Sequence, residues 1–168
     1  DIITDTGETG TDTILFNINQ FGAEPPLDLG DILFTVDEGF LFGDDNFTIS
    51  TGREGSTSNI LINDMFDGED FAVESLKIDF GDQTIEFDLT EIFQRVAETE
   101  DKSASLADLL QADSNATFEA LASALEDAVV ASDGSAESIA NAAPVDVAFI
   151  QSVQDDQTDD IFNVQGNA

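Results

Sequence analysis

Oxygen is the ligand chemistry this chain offers in quantity. Asn63-Asp64-Met65-Phe66-Asp67-Gly68-Glu69-Asp70 gathers four carboxylates and an amide around one glycine, between two strand-like stretches. Gly43-Asp44-Asp45-Asn46 is a second loop of this sort, and Asp155-Asp156-Gln157-Thr158-Asp159-Asp160 a third. Hard cations such as Ca²⁺ take about six to eight oxygen ligands, so Asp64, Asp67, Glu69 and Asp70, then Asp44 and Asp45, are the candidate calcium ligands. The spacing is not that of the 12-residue EF-hand loop. The competing reading is a set of solvated acidic loops, because 37 Asp and Glu in one chain cluster by chance.

Other chemistries are closed by residue type. The chain has no Cys, His, Trp or Tyr, which rules out thiol and imidazole catalysis, zinc fingers, haem and iron–sulfur ligation. A carboxylate pair or a Ser–Lys dyad is what remains. Sugar-cleaving carboxylate pairs work in clefts lined by Trp or Tyr, and neither residue is here. Lys77 lies between acids on a polar strand face and Lys102 in a charged connector, so both read as surface charges. The expectation is a protein that is not an enzyme.

Gly7-Glu8-Thr9-Gly10-Thr11-Asp12-Thr13-Ile14-Leu15 resembles the nonapeptide of RTX proteins. Gly7, Gly10, Asp12 and Ile14 match the pattern, and Glu8 stands where the second glycine would be. In that family consecutive copies build a parallel β-roll whose turns share Ca²⁺. The motif occurs once here, so a half-site of such a roll has no partner repeat. The acidic, Cys-free, Lys-poor composition is also similar to that of proteins exported by type I secretion. Together these resemblances imply calcium binding and an extracellular location.

The charge points the same way. Four Lys and Arg face 37 Asp and Glu, for a net charge of −33 over 168 residues. Nucleic acid is excluded as a partner, because phosphate recognition releases counterions through Lys and Arg. Anionic membrane surfaces repel the chain for the same reason. It needs a medium that screens it, such as calcium-rich or seawater-like surroundings or the interior of a salt-accumulating cell. Asp1 opens the chain without Met or an apolar leader, as in a processed segment, and no apolar run reaches membrane-spanning length, so no membrane insertion is expected.

The elements that must position these loops can be read from periodicity. Residues 13–19, 31–36, 46–50 and 59–63 are short, rich in β-branched residues and Phe, and bounded by Gly, Asp and Asn, as strands are. Glu74–Leu89 predicts a hairpin: Leu76, Ile78, Phe80, Ile85, Phe87 and Leu89 share one face, and Lys77, Asp79, Glu86 and Asp88 the other. Helical spacing follows over 89–97, with Asp88 and Glu91 as a capping box; 105–110 is a short helical piece, 118–129 an amphipathic helix, and 136–143 an Ala-rich turn or two. Asp113, Ser114 and Asn115 are the candidate caps of the third piece, and Pro144 ends the fourth. Strand alternation returns at Val145, Val147 and Phe149, and again over Ile161–Val164. The reading is one mainly β (α+β) domain over 1–168. It is an antiparallel β-sandwich or jelly-roll-like sheet with a strand-rich region over residues 1–88, a helical insertion at about 89–143 and returning strands over 145–168.

The fourteen Phe supply the core, with Phe16, Phe34, Phe80 and Phe87 on strand faces and Phe93 and Phe118 on helix faces. Gly39-Phe40-Leu41-Phe42-Gly43 is either a buried strand or an exposed docking tip, burial being favoured. The sequons at Asn46 and Asn115 are short patterns that arise by chance, and Asn115 reads better as a helix cap.

A strand-rich chain without catalytic groups points to structure or adhesion. Its polar ends would fray in isolation, whereas an extended terminal strand laid into a neighbour's sheet would be held. Asp1–Asn19 is the expected donated segment, anchored by Ile2, Ile3, Ile14 and Phe16, with Ile161–Val164 as the other candidate. The expected function is an extracellular structural subunit of a surface or matrix fibre, a homopolymer stabilised by calcium or salt, with other cell-surface or matrix components as further partners. The alternatives are a monomeric calcium-dependent adhesin module for a glycan or protein, and a salt-adapted intracellular protein.

Overall fold

Alternation of apolar and polar side chains fixes most of the strands. The computed structural model describes residues 2–4, 12–17, 27–37, 46–51, 59–63, 73–79, 83–133, 136–142, 145, 149–155 and 158–163. Strands β1 (Ile2–Thr4), β2 (Thr13–Asn17), β3 (Ile32–Asp37), β4 (Asn46–Thr51) and β5 (Asn59–Asn63) come first. The predicted hairpin follows as β6 (Ser75–Asp79) and β7 (Gln83–Asp88), with Leu76 opposite Phe87 and Ile78 opposite Ile85, all four buried. With β8 (Ser103–Ser105), β9 (Ile150–Asp155) and β10 (Thr158–Asn163) they form two five-stranded sheets. Their orders are β1-β5-β4-β3-β8 and β10-β9-β7-β6-β2.

The molecule is therefore β-rich and mixed, with two corrections to the expected architecture. First, β1 runs parallel to β5 and β2 parallel to β6, whereas the other ladders among the described residues are antiparallel. Hairpins impose antiparallel pairing, but β1 and β2 meet partners far along the chain and are free of that constraint. Second, the stretch 89–143 is not purely helical. Ser103–Ser105 crosses back to pair with Leu33, Phe34 and Thr35 of β3.

Leu89 opens α1 (Leu89–Glu98) and does not close the hairpin strand. The Asp88 carboxylate accepts from the Glu91 N–H at 3.0 Å. The reciprocal half of the expected capping box is replaced, since the Asp88 N–H donates to the Phe149 carbonyl and Glu91 Oε1 accepts from Arg95 Nε at 3.2 Å. The buried stripe Leu89, Ile92, Phe93 and Val96 packs α1 against β3 and β8 of one sheet and β6 and β7 of the other. Phe93 meets the Phe47 ring edge-on at 5.5 Å, and Phe47 stacks on Phe34 at 5.8 Å. Each such buried side chain contributes roughly 1.5–3 kcal/mol.

Helix α2 (Leu106–Leu110) begins at a complete capping box between Ser105 and Asp108 and ends at Gln111 in the left-handed region, φ 55°. The cap of α3 (Phe118–Ala131) differs from the expectation: Thr117 Oγ1 accepts the Ala120 N–H at 3.2 Å. Asp113 instead accepts from the main-chain and side-chain N–H of Asn115, a local turn that competes with capping. Helix α4 (Ala136–Ala142) follows.

A 3-10 turn over Leu29–Asp31, not foreseen, packs against this turn. The Leu29 N–H donates to the Ala116 carbonyl at 2.8 Å and the Gly30 N–H to the Ser114 carbonyl at 3.0 Å. A Cβ on Gly30 would lie 2.7 Å from that Ser114 oxygen, so the close approach requires glycine.

The returning strand is displaced from its expected place. Val145 lies in a bend and Phe149 in a turn, and β9 starts at Ile150. Phe87 pairs with Ile150 but Glu86 pairs with Ser152, leaving Gln151 as the extra residue of a β-bulge. Ile150 and Val153, three apart, are consequently both buried, which breaks the period of two. One hydrophobic cluster gathers side chains from both sheets and from all four helices. Phe80 and the segment 39–43 lie outside the described residues.

Candidate functional site

The described strands of the segment predicted to be donated, β1 and β2, each lie at one edge of a sheet of their own chain. In β2 the sequence Thr13-Ile14-Leu15-Phe16 alternates, so Ile14 and Phe16 enter the core at 6% and 4% exposure while Leu15 stays 63% exposed. Thr13 to Asn17 face Ser75 to Asp79 one for one. The backbone of Ile2, Ile3 and Thr4 likewise faces Leu61, Ile62 and Asn63. Eight residues, 5–12, link β1 to β2, and eleven, 64–74, link β5 to β6. Residues 2–4 and 13–17 thus run in the same direction as 61–63 and 75–79, each at one edge of its sheet.

A clamp closes where β2 begins. The Asp12 N–H donates to Glu74 Oε2 at 2.7 Å, and the Ser75 N–H donates to the Asp12 carbonyl at 3.0 Å. The Glu74 carbonyl in turn accepts the Leu89 N–H at 2.9 Å, which ties the clamp to the start of α1. Glu74 is not singled out by the sequence. Its only mark there is a carboxylate just before a strand, and such residues abound in this chain.

The outer face beside β2 is polar. Ser75 Oγ, buried, donates to Glu86 Oε1 at 2.6 Å, and Lys77 Nζ lies 4.0 Å from Glu86 Oε2. Arg95 pairs with Glu91 and sits over the Phe149 ring at 5.1 Å, and Lys102 Nζ donates to the Ala97 carbonyl. The described cations are therefore engaged within the chain, in exposed or half-exposed pairs worth about 0–1 kcal/mol each. Against 37 acids they leave the excess negative charge to act outward.

The six carboxylates proposed for calcium, Asp44, Asp45, Asp64, Asp67, Glu69 and Asp70, lie outside the described residues, as does 7–11 of the RTX-like nonapeptide. Among the described residues no group of three or more acidic side chains is placed to hold a metal ion. Residues 64–70 do fall in the connection between β5 and β6, the two strands that carry the N-terminal segment. Among the described residues no helix is long and apolar enough to cross a membrane.

No protein-family model, curated protein or solved structure matches this chain. The functional reading therefore rests on the edge strands and the charge.

Proposed function

We propose that the protein is an extracellular structural subunit that polymerises into a surface or matrix fibre by donating a terminal strand, with calcium or salt offsetting charge repulsion. The observation that carries this reading is the placement of residues 2–17. Their described parts, β1 and β2, supply one edge strand of each sheet, in the two parallel ladders, and bury Ile14 and Phe16. An outermost strand can leave while breaking only one ladder, and the edge it exposes is a template for the same strand from another copy. A head-to-tail contact of this kind does not close on itself and so propagates.

The reading includes a sandwich or jelly-roll arrangement of the two sheets, supported by the hydrophobic cluster they share. It also includes Ca²⁺ at the 64–70 connection. Cations there would act next to the acceptor strands, where each added subunit brings a charge of −33.

Sedimentation of the full chain and of a chain lacking residues 1–12 tests the donor. The deletion removes β1 and the Asp12 clamp, so pelletable polymer is expected from the full chain alone. Polymer from the shortened chain overturns N-terminal donation and moves the donor to Ile161–Val164.

A further inference from the structure

We infer that the acceptor is β5 and β6 of a second copy, and that β1 and β2 are exchanged together in the register each has within the chain, Leu15 coming to lie opposite Lys77 of the next subunit. This rests on the fibre reading above and specifies its interface. β1 and β2 follow β5 and β6 in the same order and direction, so one continuous segment from a neighbour fits both edges together. A segment carrying only one strand would leave the other sheet's edge open.

Exchange re-forms the contacts that the described residues of β1 and β2 make. The ladder hydrogen bonds, the Asp12–Glu74 clamp and the burial of Ile14 and Phe16 are the same whether the segment comes from its own chain or the next. The equilibrium is then set by concentration, charge repulsion and the length of the connection to the next element. That connection is residues 18–26, Ile18-Asn19-Gln20-Phe21-Gly22-Ala23-Glu24-Pro25-Pro26. Extended, the chain from Asn17 to Leu27 reaches about 33 Å, comparable to the width of a domain of this length.

The chain has no cysteine, so the register can be read with two introduced ones. Leu15 and Lys77 are directly paired on the outer face, and paired strands run about 5 Å apart, within disulfide reach. In the double variant Leu15→Cys/Lys77→Cys, oxidised as monomer in chelator, the disulfide pins the segment at home. Returned to calcium, this protein should give no pelletable polymer, and reductant should restore it. An equimolar mixture of the single variants L15C and K77C, assembled and then oxidised, should yield disulfide-linked dimers containing one chain of each. A mixture of L15C with Val130→Cys, an exposed position on α3, should not. Polymer formed with the lock oxidised, or equal cross-linking to position 130, overturns this interface and leaves the fibre reading standing. A wild-type chain that stays monomeric throughout overturns both.

Discussion

The main-chain N–H of Asp12 donates to the Glu74 carboxylate at 2.7 Å while the adjacent Ser75 N–H donates to the Asp12 carbonyl. Two acidic residues thus hold the start of an edge strand through backbone donors. A charge-assisted hydrogen bond of this kind contributes about 1.5–3 kcal/mol. Glu74→Ala should therefore loosen β2 locally. Amide hydrogen exchange over 13–17 should quicken by roughly tenfold or more, with the α1 amides changed less. Unchanged exchange at 13–17 would show that the clamp contributes nothing.

Phe16→Ala removes the largest side chain that β2 places in the core. The expected loss is about 3–5 kcal/mol in denaturant unfolding of the monomer. If the segment is donated, the same substitution in the donor should also speed polymer dissociation, because the anchor is lost at the junction. A stability loss below about 1 kcal/mol would place the Phe16 ring outside the core.

At Gly30 the constraint is steric. Alanine there would press its methyl onto the Ser114 carbonyl, 2.7 Å away, and disturb the Gly30-to-Ser114 hydrogen bond. Gly30→Ala should cost roughly 1–3 kcal/mol in thermal or chemical unfolding. A neutral effect would mean that the 3-10 turn and the 113–116 turn move apart freely.

Deleting Gln151 tests the bulge. Without the extra residue, either Ile150 or Val153 must turn outward along an interior strand, since a shift of one residue reverses every side chain. The deletion should cost more than about 3 kcal/mol, whereas Gln151→Ala should change stability by less than about 1 kcal/mol. Equal effects of the two changes would argue against the bulge.

That bulge also marks where the sequence stops being legible. Strands with unbroken alternation, such as 32–37, 46–51 and the 75–88 hairpin, lie where periodicity puts them, and α1 and α3 follow their apolar stripes. β9 is hidden because Ile150 and Val153 are three apart, and the alternation at Val145–Phe149 points to a strand five residues too early. β8 is Ser-Ala-Ser, with no apolar pattern to read. Strand direction leaves no trace in a period of two, so neither parallel ladder could be foreseen. The burial of Ile14 and Phe16 is legible from alternation. Glu74 is not, because its role depends on a partner 62 residues away.

The most direct test of strand donation is the mass of the natively purified protein by light scattering, first in millimolar calcium and then in excess chelator at constant ionic strength. A calcium-stabilised polymer should show a mass many times 17.9 kDa that falls in chelator. A mass of one subunit in both conditions contradicts it.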